Sequence, residues 1–151
     1  MLTRTHLAIT VFGILLVISL IENKFVFVLT ALIATLIPDI DCYYSYLGKH
    51  VVFRPLQWFT KHRGILHSFS FLILITIFFV LFIPVLAAGF FLGYGLHLFS
   101  DSFTKDGIQI FYPFKKKISG KLRTGSLFET GLFVVFILFD LLLLSIKLGF
   151  L

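Results

Sequence analysis

Acidic residues are scarce in this chain: Asp and Glu together number seven in 151 residues, and charged residues of all kinds make up only 13%. An ordinary soluble domain carries about 25% charged residues, so a solvated globular surface cannot be built from this composition. The single cysteine, Cys42, excludes an intrachain disulfide and leaves the redox compartment open. Cys42 sits beside Asp41, where a ligand role is conceivable, although a small buried side chain is the favoured reading. No small-residue cleavage site follows the first apolar run, so that run reads as an uncleaved helix rather than a signal peptide. Internal repeats and low-complexity linkers are also lacking.

What is present is apolar. The chain is 59% hydrophobic, with 21 phenylalanines and a mean hydropathy of +1.06. Long Phe/Leu/Ile runs of this kind predict an all-α integral membrane bundle of about five helices, forming one domain over residues 1–151. The expected helices cover residues 5–21, 25–37, 62–82, 84–103 and 126–147. A polar turn at Glu22, Asn23 and Lys24 separates the first two, and polar loops cover 41–61 and 104–125. Pro84 opens the fourth helix, as proline is tolerated in a first turn. Fusing the third and fourth helices would give roughly 52 Å of helix against a hydrocarbon core of about 30 Å, so a hairpin is preferred.

Up-and-down threading places His6, Asp39 with Asp41, His62 with His67, and His97 with Asp101 at the same end. Of the thirteen Lys and Arg residues, only Lys24 and Lys147 fall at the other end. The positive-inside rule then puts the N-terminus and the His/Asp end at the cytoplasm of an inner membrane. The net charge of +6 reads as a topology signal and an attraction for anionic lipid headgroups, not as a nucleic-acid surface. The loop of residues 104–125 combines Phe111, Tyr112 and Phe114 with the run Lys115, Lys116 and Lys117, which fits either a solvated basic loop or an anionic-lipid contact. The apolar part of the second helix spans only about 20 Å, which sets the polar cluster below headgroup level and suits a substrate with an acyl tail.

Ionisable groups at membrane depth are costly and mark functional sites. Gly89, Gly93, His97 and Asp101 recur at steps of four and share one helical face. The glycines permit close approach of another helix, and His97 and Asp101 project together. Asp101 near a helix C-terminus opposes the dipole and calls for a cation; Asp39 and Asp41 after Pro38 fit turn chemistry, but two carboxylates at a C-terminal helix end favour at least one as a ligand. Ala31, Thr35 and Asp39 align on the second helix, and His6, Thr10 and Gly13 on the first. Ser126 and Glu129 form a Ser-x-x-Glu capping box, although Glu129 could instead point at the cluster. His and Asp suit zinc or a similar divalent ion. Such an ion acts as a Lewis acid and lowers the pKa of a bound water to about 7, with a nearby carboxylate as general base. Arg63 fits an anionic phosphate or carboxylate.

These residues carry a resemblance. Ile37-Pro38-Asp39-Ile40-Asp41, then His62-Arg63-Gly64-Ile65-Leu66-His67-Ser68, then the run from Gly93 through His97 to Asp101, resembles a prokaryotic inner-membrane family described as metal-dependent hydrolases, some of them tied to LexA regulation. Thr5-His6 and Thr124-Gly125-Ser126 with Glu129 also fit. More remotely, the ordered set is similar to zinc-dependent phospholipases C and single-strand nucleases. That likeness implies zinc ligation by His6, Asp39, His67, His97 and Asp101, with one aspartate doubling as base. A second downstream His set is lacking, which favours one or two ions over three.

The expectation is therefore a membrane-embedded, metal-dependent hydrolase of a lipid-like phosphoester. Its ligands are His6, Asp39, His67, His97 and Asp101, its catalytic set is Asp41, His62, Arg63 and Glu129, and its partners are membrane lipids. The competing expectation is a metal-binding membrane protein without catalysis: a carrier, sensor or scaffold. The apolar far halves of the helices, interrupted only by Asp140, argue against an ion path.

Overall fold

The computed structural model describes residues 1–43, 45, 48–59, 64–114 and 116–149. Five helices of 13 to 21 residues dominate: α1 (Thr3–Val17), α2 (Lys24–Leu36), α4 (Phe69–Phe82), α5 (Pro84–Ser102) and α6 (Leu127–Lys147). A six-residue helix, α3 (Arg54–Phe59), lies in the segment expected to be loop. The helical expectation holds, with two further local corrections. The third long helix begins at Phe69 instead of residues 62–64, because Ser68 caps it by accepting from the Phe71 amide at 3.3 Å. The loop after α5 holds a short antiparallel pair, β1 (Ile108–Gln109) and β2 (Lys117–Ile118), with Ile108 opposite Ile118.

α2 and α5 form the most intimate helix pair. A Cβ added at Gly93 would lie 2.0 Å from the Ala31 carbonyl oxygen, and one at Gly89 would lie 2.7 Å from that of Phe27. Small residues at both positions let the two backbones touch. Tyr94, Leu98, Leu72, Phe90 and Ala34 pack beside this seam. Thr35 on α2 joins three helices: its hydroxyl lies 2.9 Å from that of Thr10 on α1, 2.8 Å from the Ala31 carbonyl of its own helix and 3.3 Å from the Gly93 carbonyl of α5.

Polarity is inverted on α6. Its buried residues are Glu129 and Asp140, whereas Leu127, Phe128, Leu138 and Leu141 are exposed. Among the described residues, two helical segments are long and apolar enough to cross a membrane, Thr3–Leu20 and Leu127–Lys147, and Phe69–Phe82 is a shorter apolar helix.

The α2–α5 seam yields a paired prediction. Gly93→Ala forces overpacking against backbone and is expected to cost about 1–3 kcal/mol or more. A Cβ added at Gly131 on α6 would meet nothing within 4 Å, so Gly131→Ala should be tolerated with a gain of up to about 1 kcal/mol. Thermal unfolding of both variants in detergent, read by circular dichroism, measures the contrast.

Candidate metal centre

Four separate chain segments deliver the site. His6 comes from the first turns of α1, Asp39 and Asp41 from the 3-10 turn Pro38–Asp41 after α2, His67 from the 3-10 turn Ile65–His67 before α4, and His97 and Asp101 from the last turns of α5. Pro38 stops α2 and turns the chain so that both aspartates face inward. The His67 turn is held by the Tyr94 hydroxyl, which donates to the Leu66 carbonyl, and by the Phe69 amide, which donates to the Ile110 carbonyl at 3.0 Å. The Asp39 turn is held by Ser45, whose hydroxyl donates to the Asp39 carbonyl at 2.5 Å.

All five expected ligands meet. His67 Nε2 lies 3.8 Å from Asp39 Oδ1 and 3.8 Å from Asp101 Oδ2. His97 Nε2 lies 3.7 Å from Asp39 Oδ1 and 3.9 Å from Asp101 Oδ2. Imidazole and carboxylate thus alternate around a ring. His6 Nε2 approaches the other Asp101 oxygen at 3.3 Å, where the Met1 ammonium also sits. The His6 and His97 rings stack in parallel, with centroids 3.9 Å apart. Two triads of potential ligands result, His6/His97/Asp101 and Asp39/His67/His97, with the donor atoms of each within 4.8 Å of one another.

The donor set fits a divalent ion. Tetrahedral zinc with ligands at about 2.0–2.1 Å separates its donor atoms by about 3.3–3.4 Å, close to the observed spacings of 3.3 to 3.9 Å. His97 is in the right tautomer: its Nδ1 lies 2.7 Å from the Thr35 carbonyl and donates there, which leaves the Nε2 lone pair facing the acids. That Nε2 is buried and makes no hydrogen bond among the described residues. Buried polar atoms ordinarily have partners, and an orphaned imidazole lone pair among carboxylates is the arrangement a cation completes.

Asp41 stands behind His67, with its Oδ2 3.4 Å from Nδ1. This carboxylate–histidine pair turns Nε2 toward the other ligands. Burial disfavours charge on both His67 and Asp39. Even so, the nearby Asp39 and Asp41 carboxylates raise His67 to about 9, and the neighbouring imidazoles of His67, His97 and His6 lower Asp39 to about 2. Both shifts favour His67 as a cation beside an ionised Asp39.

The remaining expected site residues divide. Asp41 is at the site but behind a ligand, a place that suits an orienting carboxylate better than a general base. Glu129 is buried, and its two oxygens accept from the Leu2 and Gly125 amides, both at 2.5 Å. It ties the start of α1 to the start of α6. Ser126 still caps α6 by accepting from the Glu129 amide at 3.3 Å, so half of the expected capping box is present. His62 and Arg63 lie outside the described residues. Reading side chains missed the Thr35 carbonyl and the Tyr94 hydroxyl. Only the alignment of Ala31, Thr35 and Asp39 hinted at the first.

The arrangement defines a helical protein with a buried His/Asp centre of metal-ligand type at one end of its bundle. The chain belongs to the YdjM inner membrane protein family, whose model matches residues 1–149, and it is accordingly an inner-membrane protein. No curated protein and no solved structure matches it.

Removing a ligand and removing its support should differ in degree. His97→Ala should abolish stoichiometric metal in purified protein measured by elemental analysis. Asp41→Asn should retain the site but weaken metal affinity about 10–100-fold in a competitive chelator titration.

Proposed function

We propose that this protein is a multi-pass membrane hydrolase that uses one or two divalent ions, zinc being the best match, to cleave a phosphoester of a lipid or amphiphilic substrate. The observation that carries the reading is the convergence of His6, Asp39, His67, His97 and Asp101 from four chain segments into one buried ligand set. The resemblance of the same motifs to metal-dependent hydrolases supports it.

A divalent cation in this set would supply Lewis-acid polarisation of a phosphoryl or carbonyl oxygen. The protein's own groups do the rest. Thr35 and Asp41 fix the His97 and His67 rings so that their Nε2 atoms face the cluster. Asp39 is the most accessible of the three carboxylates, with 17% of its side chain exposed, and is the best placed to take a proton from an attacking water. The charge on a bound phosphoester falls to Arg63 and His62, which the sequence places at the same end.

The membrane embedding is read from inverted polarity. Apolar side chains face outward on α4 and α6, and the two acidic side chains of α6, Glu129 and Asp140, are buried. Helices too short to span alone are accommodated by local thinning of the bilayer or by leaving one end within it. With Lys24 and Lys147 alone at the far end, the metal centre and N-terminus lie on the cytoplasmic side.

The deciding assay uses purified protein in detergent on a panel of lipid phosphodiesters and phosphomonoesters, with and without chelator. Hydrolysis that chelator stops, that zinc restores and that His97→Ala lacks is the expected outcome. Metal-loaded protein that hydrolyses nothing in the panel would favour the non-catalytic carrier, sensor or scaffold.

A further inference from the structure

A second site lies outside the metal centre, at the start of α6. Lys105, Lys121, Leu122, Arg123, Ser126 and Phe128 line a notch of about 390 Å³. Backbone bonds build it. The Lys105 amide donates to the Leu122 carbonyl at 2.8 Å, the Leu122 amide to the Phe103 carbonyl at 3.0 Å, and the Gly120 amide to the Thr104 carbonyl at 2.9 Å. The returning strand of the loop is thereby stitched to the end of α5, which holds the three cations on one rim. All three are exposed. Among the described residues no carboxylate lines the notch, although Asp106 neighbours Lys105 in sequence. Among the described residues none of the three cations enters an ion pair.

Depth in the membrane selects the ligand. The notch sits where α6 begins, and α6 is long and apolar enough to cross a membrane. Its 21 residues span about 31 Å, close to the hydrocarbon thickness of about 30 Å. One end of such a helix falls at the headgroups. Leu127 and Phe128 are exposed beside the cations, as residues at the boundary between acyl chains and headgroups would be. Three unneutralised cations at that level, with apolar groups on the hydrocarbon side, complement an anionic headgroup above an acyl chain.

We propose that this notch is a docking site for the headgroup phosphate of an anionic phospholipid, gripped by Lys105, Lys121 and Arg123 with its acyl chain against Phe128 and Leu122. The inference does not depend on hydrolysis at the metal centre.

The test uses the full-length protein in non-ionic detergent, titrated with phosphatidylglycerol or with phosphatidylcholine of identical chains, with bound lipid counted by native mass spectrometry. Phosphatidylglycerol should bind saturably and at least roughly tenfold more tightly than phosphatidylcholine. Lys105→Gln/Lys121→Gln/Arg123→Gln should remove that preference. Lys49→Gln/Lys116→Gln/Lys117→Gln, which takes the same charge from exposed positions outside the notch, should leave it within about twofold. The charge-preserving variant Lys105→Arg/Lys121→Arg/Arg123→Lys should bind as the wild type does, which separates lost charge from lost folding. Equal binding of the two lipids, equal loss in both glutamine variants, or failure of the charge-preserving variant would each overturn the proposal. So would displacement of the lipid by inorganic phosphate at matching concentration, because the notch would then recognise a free anion.

Discussion

Three imidazoles and three carboxylates share one buried volume, and the rest of the molecule is arranged around keeping them there. Desolvating one ionised group costs several kcal/mol unless partners offset it. The structure offsets it locally by alternating His67 and His97 with Asp39 and Asp101, by placing Asp41 behind His67, and by aiming the Met1 ammonium at Asp101. None of these contacts is short enough to saturate His97 Nε2, whose nearest acids are 3.7 and 3.9 Å away. A cation at the centre of the ring would satisfy several of these atoms at once.

That cluster explains the packing below it. His97 reaches Asp39 and the Thr35 carbonyl only because α2 and α5 meet at backbone distance, and they do so only because positions 89 and 93 lack a side chain. The glycines belong to the site as much as the ligands do. Thr35 offers polar partners inside an otherwise apolar bundle, meeting the Thr10 hydroxyl on α1 and the Gly93 carbonyl on α5, so α2 is held in register against both neighbours. Glu129 does similar work at the outer end by binding the amide of Leu2, which places His6 a single helical turn further on.

Much of this was legible in the sequence, and the reason is periodicity. Gly89, Gly93, His97 and Asp101 are four residues apart on a helix, so their shared face follows from geometry alone. The end of α2 was readable because proline and aspartate break helices in known ways. The start of α4 was not, since His67 sits in a 3-10 turn whose shape depends on Tyr94 and Ile110, residues 27 or more positions away in sequence. The β1–β2 pair was hidden because two residues per strand leave no alternation to detect. Asp41 and Glu129 were recognisable as important acids, but their neighbours decide what they do: one faces the back of an imidazole and the other faces backbone amides.

X-ray absorption at the zinc edge of the metal-loaded protein would test the central claim most directly. The account predicts a shell of nitrogen and oxygen donors at about 2.0–2.1 Å, with the multiple-scattering pattern of at least two imidazoles. A sulfur donor at about 2.3 Å, or a shell of oxygen without imidazole, would contradict it.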